Sequence, residues 1–314
     1  MAANRIHFRQ RGWVLTWLLL FWAATGLRAS DPDNYPSALH LLRTLNLPDT
    51  ISAQGAALAR GRGGEIYALL DHPPSIVAWS SEGTLLGRFG DLPGMLVSPT
   101  DITTFQGREL LIADPWQGAV IRFDRRFKEL PRLDLTGAMD RLEPVALAAM
   151  PDGSLYFINS RDGDIWRLDR SGKLTPQNWN KRQGGFLNDA KCLEADSSGR
   201  LVILDGSRLV AAEPIGGNQI ETSLQDSLYN GMGVEGSEVW ICSDSVVACY
   251  DLNTLQRRFG ASLRFSDSIE SLSAQGSDGI ADVLPLGAES LALLTRNRPR
   301  VLLFQVERAG QERP

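Results

Sequence analysis

Histidine and cysteine are scarce, three of each in 314 residues, and their placing excludes several chemistries. His7 lies in the N-terminal segment, leaving His40 and His72, too few for a histidine-rich zinc site. A Ser, His and Asp triad needs His40 or His72 at a catalytic mouth, and neither sequence position suggests one. The chain also lacks a Cys-x-x-Cys pair, a Walker loop and a dinucleotide fingerprint, so cofactor chemistry has no motif to rest on. It has no long basic run, and nucleic acid is an unexpected partner, because phosphate contacts dominate that affinity. No Asn-x-Ser/Thr sequon occurs either, which fits a bacterial periplasm.

The apolar residues are concentrated in one place at the start. Arg5, Arg9 and Arg11 precede a charge-free run from Trp13 to Leu27, the n-region and h-region of a secretory signal, with cleavage expected after Ala29. The run is shorter than the ~20 residues that span a bilayer, which favours cleavage over a retained anchor. We therefore expect a signal peptide over 1–29, a linker over 30–37, a folded domain over 38–307 and a polar tail over 308–314. The mature chain would be exported, periplasmic or extracellular, not integral to the membrane, and net −9, with 28 basic against 37 acidic residues. In an oxidising compartment Cys192 could pair with Cys242 or Cys249, while three small buried thiols is the simpler reading. If Ser243-Asp244 is a two-residue turn, Cys242 faces Ser245 and Cys249 lies too far along the strand to reach it.

What the chain does have is a repeat. The segments EIYALLDHPP, ELLIADPWQG, SLYFINSRDG, RLVILDGSRL, EVWICSDSVV and SLALLTRNRP each carry an apolar strand ending at a short polar residue: Asp71, Asp114, Asn159, Asp205, Ser243 and Thr295. The separations are 43, 45, 46, 38 and 52 residues, the period of a four-stranded propeller blade. Third strands alternate by two, as in Ser75 to Trp79 and Ala119 to Phe123, which is β and not helix. The sixth repeat supplies only three strands, and Leu39 to Leu45 at the other end has the character of the missing fourth. The expected fold is all-β, a six-bladed β-propeller of four-stranded antiparallel blades, the last completed by an N-terminal strand, which also covers a bare edge.

The segment PTDITTFQGRELLIADPWQGAVIRFDRRFKEL, and less closely PVALAAMPDGSLYFINSRDGDIWRLDRSGKL, resembles NHL repeats. At the level of period the resemblance covers the mature chain, and it implies a six-bladed propeller used mostly for binding. Residues near the starts of the inner strands, where a channel mouth would form, are Gln54, Thr100 with Asp101, Glu143, Asn188 with Asp189, Asn230 and Asp278. The row Glu143, Asn188, Asn230 and Asp278 also resembles the metal site of the regucalcin and gluconolactonase family. That resemblance implies a calcium-type divalent ion and the opening of lactones or esters. The register departs from it: Asn188 stands eleven residues before Gly199 and Asn230 six before Gly236, and an odd shift turns a strand side chain to the other face. Asn and Asp at strand starts also serve as turn formers whatever the protein does.

Among the aromatics, Trp79, Trp166 and Trp240 lie within strands and read as packing between blades. Trp116, in a turn, and Trp179, in the polar stretch Pro176 to Gly185, read as exposed contact points for a protein, peptide or glycan partner. Arg125-Arg126 with Lys128 and Arg257-Arg258 read as solvated clusters. The leading expectation is an exported binding or scaffold module without a catalytic residue. The alternative is a metal-dependent hydrolase.

Overall fold

The structure is a computed structural model. It describes residues 36–47, 54–133, 135, 142–179, 187, 189–214, 218–224, 229–263 and 279–308. The expected signal segment, most of the linker, the tail beyond Arg308, and the candidates Asn188 and Asp278 lie outside the described residues.

Six four-stranded antiparallel sheets form a six-bladed β-propeller. An N-terminal strand, β1 (Pro36–Asn46), precedes blade 1, which comprises β2 (Gly55–Arg60), β3 (Ile66–Leu70), β4 (Ser75–Trp79) and β5 (Leu85–Phe89). Blade 2 is β6 (Asp101–Phe105), β7 (Glu109–Asp114), β8 (Ala119–Asp124) and β9 (Glu129–Leu133), and blade 3 is β10 (Pro144–Ala149), β11 (Leu155–Asn159), β12 (Ile165–Leu168) and β13 (Leu174–Pro176). Blade 4 is β14 (Ala190–Ala195), β15 (Leu201–Asp205), β16 (Arg208–Ala212) and β17 (Gln219–Ser223). Blade 5 is β18 (Gly231–Glu235), β19 (Glu238–Cys242), β20 (Val246–Asp251) and β21 (Arg257–Ser262). Blade 6 joins β22 (Ile280–Gly287), β23 (Ser290–Thr295) and β24 (Arg300–Arg308) to β1, which runs antiparallel to β24 with Leu39 opposite Val306 and Leu45 opposite Val301. Among the described residues no helix is long and apolar enough to cross a membrane.

The middle strands are apolar on both faces because each blade is buried between two others. Along β3, Tyr67 and Leu69 pack with Ile102, Ile112 and Phe123 of blade 2, whereas Ile66, Ala68 and Leu70 pack with Ala281, Leu294 and Val301 of blade 6. The period of two thus sorts side chains between neighbouring blades and not between core and water. Trp79, Trp166 and Trp240 are buried in such interfaces, as their strand positions imply.

Five of the six closing polar residues accept backbone N–H groups, Ser243 that of Val246 among them. Asp114 accepts the N–H groups of Val97 (2.7 Å) and Gln117 (3.1 Å), Asn159 that of Glu143 (2.8 Å), Asp205 that of Asp189 (2.7 Å), and Thr295 that of Arg300 (2.9 Å). Three of these bonds hold the chain entering an inner strand against the end of the second strand of the same blade. Asp114, Asn159 and Asp205 thus tie the incoming loop to the sheet.

One feature departs from expectation. The turn between β19 and β20 is longer than two residues: Cys242 pairs with Val247 and Trp240 with Cys249, and all three cysteines are free thiols. Gly231 opens β18, where a Cβ would stand 2.6 Å from the Cα of Asp282, and at Gly233 one would stand 2.4 Å from Pro285 Cδ. These glycines let the inner strands of blades 5 and 6 approach closely.

Candidate functional site

The six inner strands, β2, β6, β10, β14, β18 and β22, stand around the axis, each in contact with the next and β22 with β2. Side chains two apart on one inner strand face the same way, so Cys192 and Glu194 of β14 share a face. With Thr100, Asp101, Asn230 and Asp282 they line a central cavity of about 50 Å³. Organic ligands occupy sites of roughly 300–1,000 Å³, so this space suits a solvent molecule or an ion and not a lactone.

The groups here are engaged in holding blades together. Asp101 accepts the N–H of Ile102 (2.8 Å) and, across the blade boundary, that of Leu147 (2.7 Å), while the Thr100 hydroxyl donates to Val145 O (2.8 Å). Asp282 does the same between blades 6 and 1, accepting the N–H of Val283 (2.8 Å) and of Leu58 (2.7 Å). Burial pushes Asp101 up to about 7 and Asp282 up to about 8, despite hydrogen bonds that favour their charged forms. Glu194 is raised well above the usual carboxylate range, first by burial and then by repulsion from Asp101 and Asp282. The same burial and the same two acids raise the Cys192 thiol well above its ordinary value, so it is no thiolate nucleophile at neutral pH.

Of the mouth candidates among the described residues, Thr100, Asp101 and Asn230 line this cavity. Glu143 lies beside blade 3's own turn, its carboxylate accepting the Ser160 hydroxyl at 3.1 Å. Asp189 pairs with Lys191 at 3.1 Å and is exposed, and the Asn230 amide reaches Asp244 at 3.5 Å. Among the described residues no group of three or more His, Cys, Asp or Glu is arranged to hold a metal ion. His40 bonds Glu307 on the outermost strand, and His72 pairs with its neighbour Asp71 in an exposed turn.

Reasoning from strand starts missed Glu194 and Asp282, which sit inside strands. A signal was present: Asp282 is thirteen residues before Thr295, as Asp101 is thirteen before Asp114.

The two candidate surface tryptophans part company. Trp116 is 70% exposed, at the tip of the β7–β8 turn. Trp179 is 1% exposed and belongs to the core between blades 3 and 4, with Ala146, Ile158, Leu193 and Leu201. Its backbone N–H is held by Asp164 at 2.8 Å, so the polar residues around it conceal an apolar anchor. It is no partner surface. The Trp116 turn is bonded to the loop before β6 through Asp114 and through Gln117 Nε2, which donates to Met95 O at 3.1 Å. That loop carries Leu92, 63% exposed, and Val97, 39% exposed, so three large apolar side chains stand on one tied pair of loops.

No family model matches the sequence, and no curated protein matches it. Solved structures do. A catalytically inactive histidine-to-alanine variant of virginiamycin B lyase from Staphylococcus aureus, with quinupristin, is similar at 12% identity and a TM-score of 0.61, covering 86% of this chain and 100% of that one. A streptogramin B lyase is similar at 9% identity and TM-score 0.56, over 86% of this chain and 88% of its own. A chain of a nidogen/laminin complex has 17% identity and TM-score 0.57, over 73% of this chain and 92% of its own. Identities this low speak to architecture alone, and the architecture is a six-bladed β-propeller.

Proposed function

We propose that this protein is an exported binding or scaffold module of the cell envelope, presenting the face that carries the β7–β8 turn to a protein, peptide or glycan partner. The observation that carries the reading is Trp116, a large aromatic at 70% exposure on a turn fixed by Asp114 and flanked by Leu92 and Val97. Exposing such a side chain to solvent is unfavourable without a use for it, and rigid aromatic anchors dominate interface energies. The nidogen/laminin complex offers a precedent of the same architecture seated in a protein assembly. Export rests on the charge-free run Trp13 to Leu27 behind three arginines.

Trp116→Ala should weaken capture of an envelope partner by about 2 kcal/mol, roughly thirtyfold, with the melting temperature unchanged. Undiminished capture by that variant would remove the surface. The alternative, a calcium-dependent lactone or ester hydrolase with its site at the channel mouth, is disfavoured because Thr100 and Asp101 are committed to bonds between blades and the cavity holds about 50 Å³. Stoichiometric calcium surviving dialysis would reverse that preference. The lyase precedent lacks support of another kind: neither His40 nor His72 lines the channel.

A further inference from the structure

Turns between β2 and β3, β6 and β7, and β8 and β9 lie at the opposite strand ends from Trp116, because neighbouring turns of a meander alternate ends. Between blades 1 and 2 these turns enclose a groove of about 420 Å³, large enough for an organic ligand. Three arginines, Arg62, Arg108 and Arg125, line it, two of them against one glycine. Arg125 donates from Nε and Nη2 to Gly107 O, at 3.1 and 2.5 Å. The stem of Arg62 lies over the same residue, such that a Cβ on Gly107 would stand 3.0 Å from its Cβ and Cδ. Arg108 follows in sequence. Gly107 has φ +59°, and both this conformation and the overlying stem favour glycine.

The acids of the groove are already occupied, and two of the cations are not. Glu109 is engaged by Arg122 through Nε (3.0 Å) and Nη2 (2.8 Å). Asp124 accepts the N–H groups of Arg126 and Lys128, and Glu65 that of Gly63. The side chains of Arg62 and Arg108 are exposed and form no hydrogen bond or ion pair among the described residues. A chain with an acidic excess thus keeps two uncommitted guanidinium groups at the rim of one groove.

The floor is apolar and contains a strained residue. Phe127 has φ +61° at the turn position that is Gly83 in blade 1 and Gly172 in blade 3. A bulky side chain in the left-handed region is unfavourable, and such residues persist where the surrounding structure or a function demands them. Here the ring is placed edge-on to Tyr67 at 6.3 Å and stacked on Phe89 at 4.3 Å, and Phe127 and Tyr67 line the groove together with the arginines.

We infer that this groove binds a small organic acid, a single carboxylate on an apolar or aromatic body, with the carboxylate between Arg62 and Arg108 and the body against Phe127 and Tyr67. Arginine forks match carboxylate geometry. Glu65, Glu109 and Asp124 around the groove disfavour a dianion such as phosphate. The site is independent of the Trp116 surface and of any partner bound there.

Isothermal titration of the purified protein with N-acetyl-phenylalanine, and with its amide, tests the inference. The acid should bind and the amide should bind at least about tenfold more weakly. The double substitution Arg62→Ala and Arg108→Ala should weaken the acid by about tenfold or more, with the melting temperature unchanged because both side chains are exposed. No binding of the acid up to about 10 mM, equal binding of acid and amide, or unchanged affinity in the double variant would overturn the assignment. Displacement of the acid by an equal concentration of inorganic phosphate would overturn the choice of a singly charged ligand.

Discussion

Asp282 on β22 accepts the backbone N–H of Leu58 on β2 at 2.7 Å, joining the last blade of the ring to the first. The carboxyl also accepts the N–H of Val283 at 2.8 Å. Asp282→Ala leaves two buried donors without acceptors, at a cost of about 1–3 kcal/mol each at most. Asp282→Asn keeps an acceptor oxygen and resembles the neutral acid favoured by burial, so it should cost less than half as much. Urea midpoints for the two variants check this, and equal losses would show that charge, and not the hydrogen bond, matters there.

The raised carboxyls make a specific pH dependence. A native acid with its value moved from the usual carboxylate range to about 7 for Asp101, or about 8 for Asp282, holds its proton while the unfolded chain has released it. The unfolded state therefore binds fewer protons between about pH 4 and 8, and stability falls as pH rises through that window. Acids shifted the other way set the lower limit. Asp124 is held low by the Lys128 N–H, Asp152 by the Ser154 hydroxyl and Asp169 by the Ser171 hydroxyl, and their contribution is lost on acidification toward and below the unfolded value. Melting temperature should peak at mildly acidic pH and decline toward pH 8. Asp101→Asn with Asp282→Asn should flatten the decline. A peak above pH 8 in the native protein would contradict the assignment.

Trp179→Ala and Trp116→Ala should differ in kind. The first empties an interior site between blades 3 and 4 and should cost about 3–5 kcal/mol, and the second removes an exposed ring and should leave stability within about 0.5 kcal/mol. Chemical denaturation of both variants separates them.

That contrast marks where the sequence was informative. Trp79, Trp166 and Trp240 lie in strands whose period fixes their side, and burial follows from position. Trp179 lies in a connection with no period, where its neighbours Gln177 and Asn178 suggested water, and only the Asp164 bond to its N–H shows the chain folding back. The channel was legible in part for the same reason. Asp101 was found because it opens a strand, but Asp282 and Glu194 stand within strands, where a charge reads as surface until the ring is closed around it. Nothing local at Gly231 reveals that Asp282, fifty-one residues later, occupies the space a Cβ there would need.

Ring closure was the most legible long-range feature, because counting strands left blade 6 one short, and it gives the last expectation. β1 pairs with β24 from Pro36 opposite Arg308 to Asn46 opposite Arg300. It also reaches blade 1, where the Arg43 guanidinium donates to Glu82 O at 2.6 Å and Leu45 is buried against Trp79 and Val301. Removing residues 36–46 would bare the N–H and C=O groups along β24 and uncover Val301, Leu302 and Phe304, an apolar edge of the kind that templates association. Size-exclusion chromatography of the shortened chain should show oligomers or aggregate, and a monodisperse monomer with unchanged melting temperature would mean that the ring holds without this strand. Adding the peptide Pro36 to Asn46 in trans should restore the monomer in part, because the register is set by side chains that β1 itself supplies.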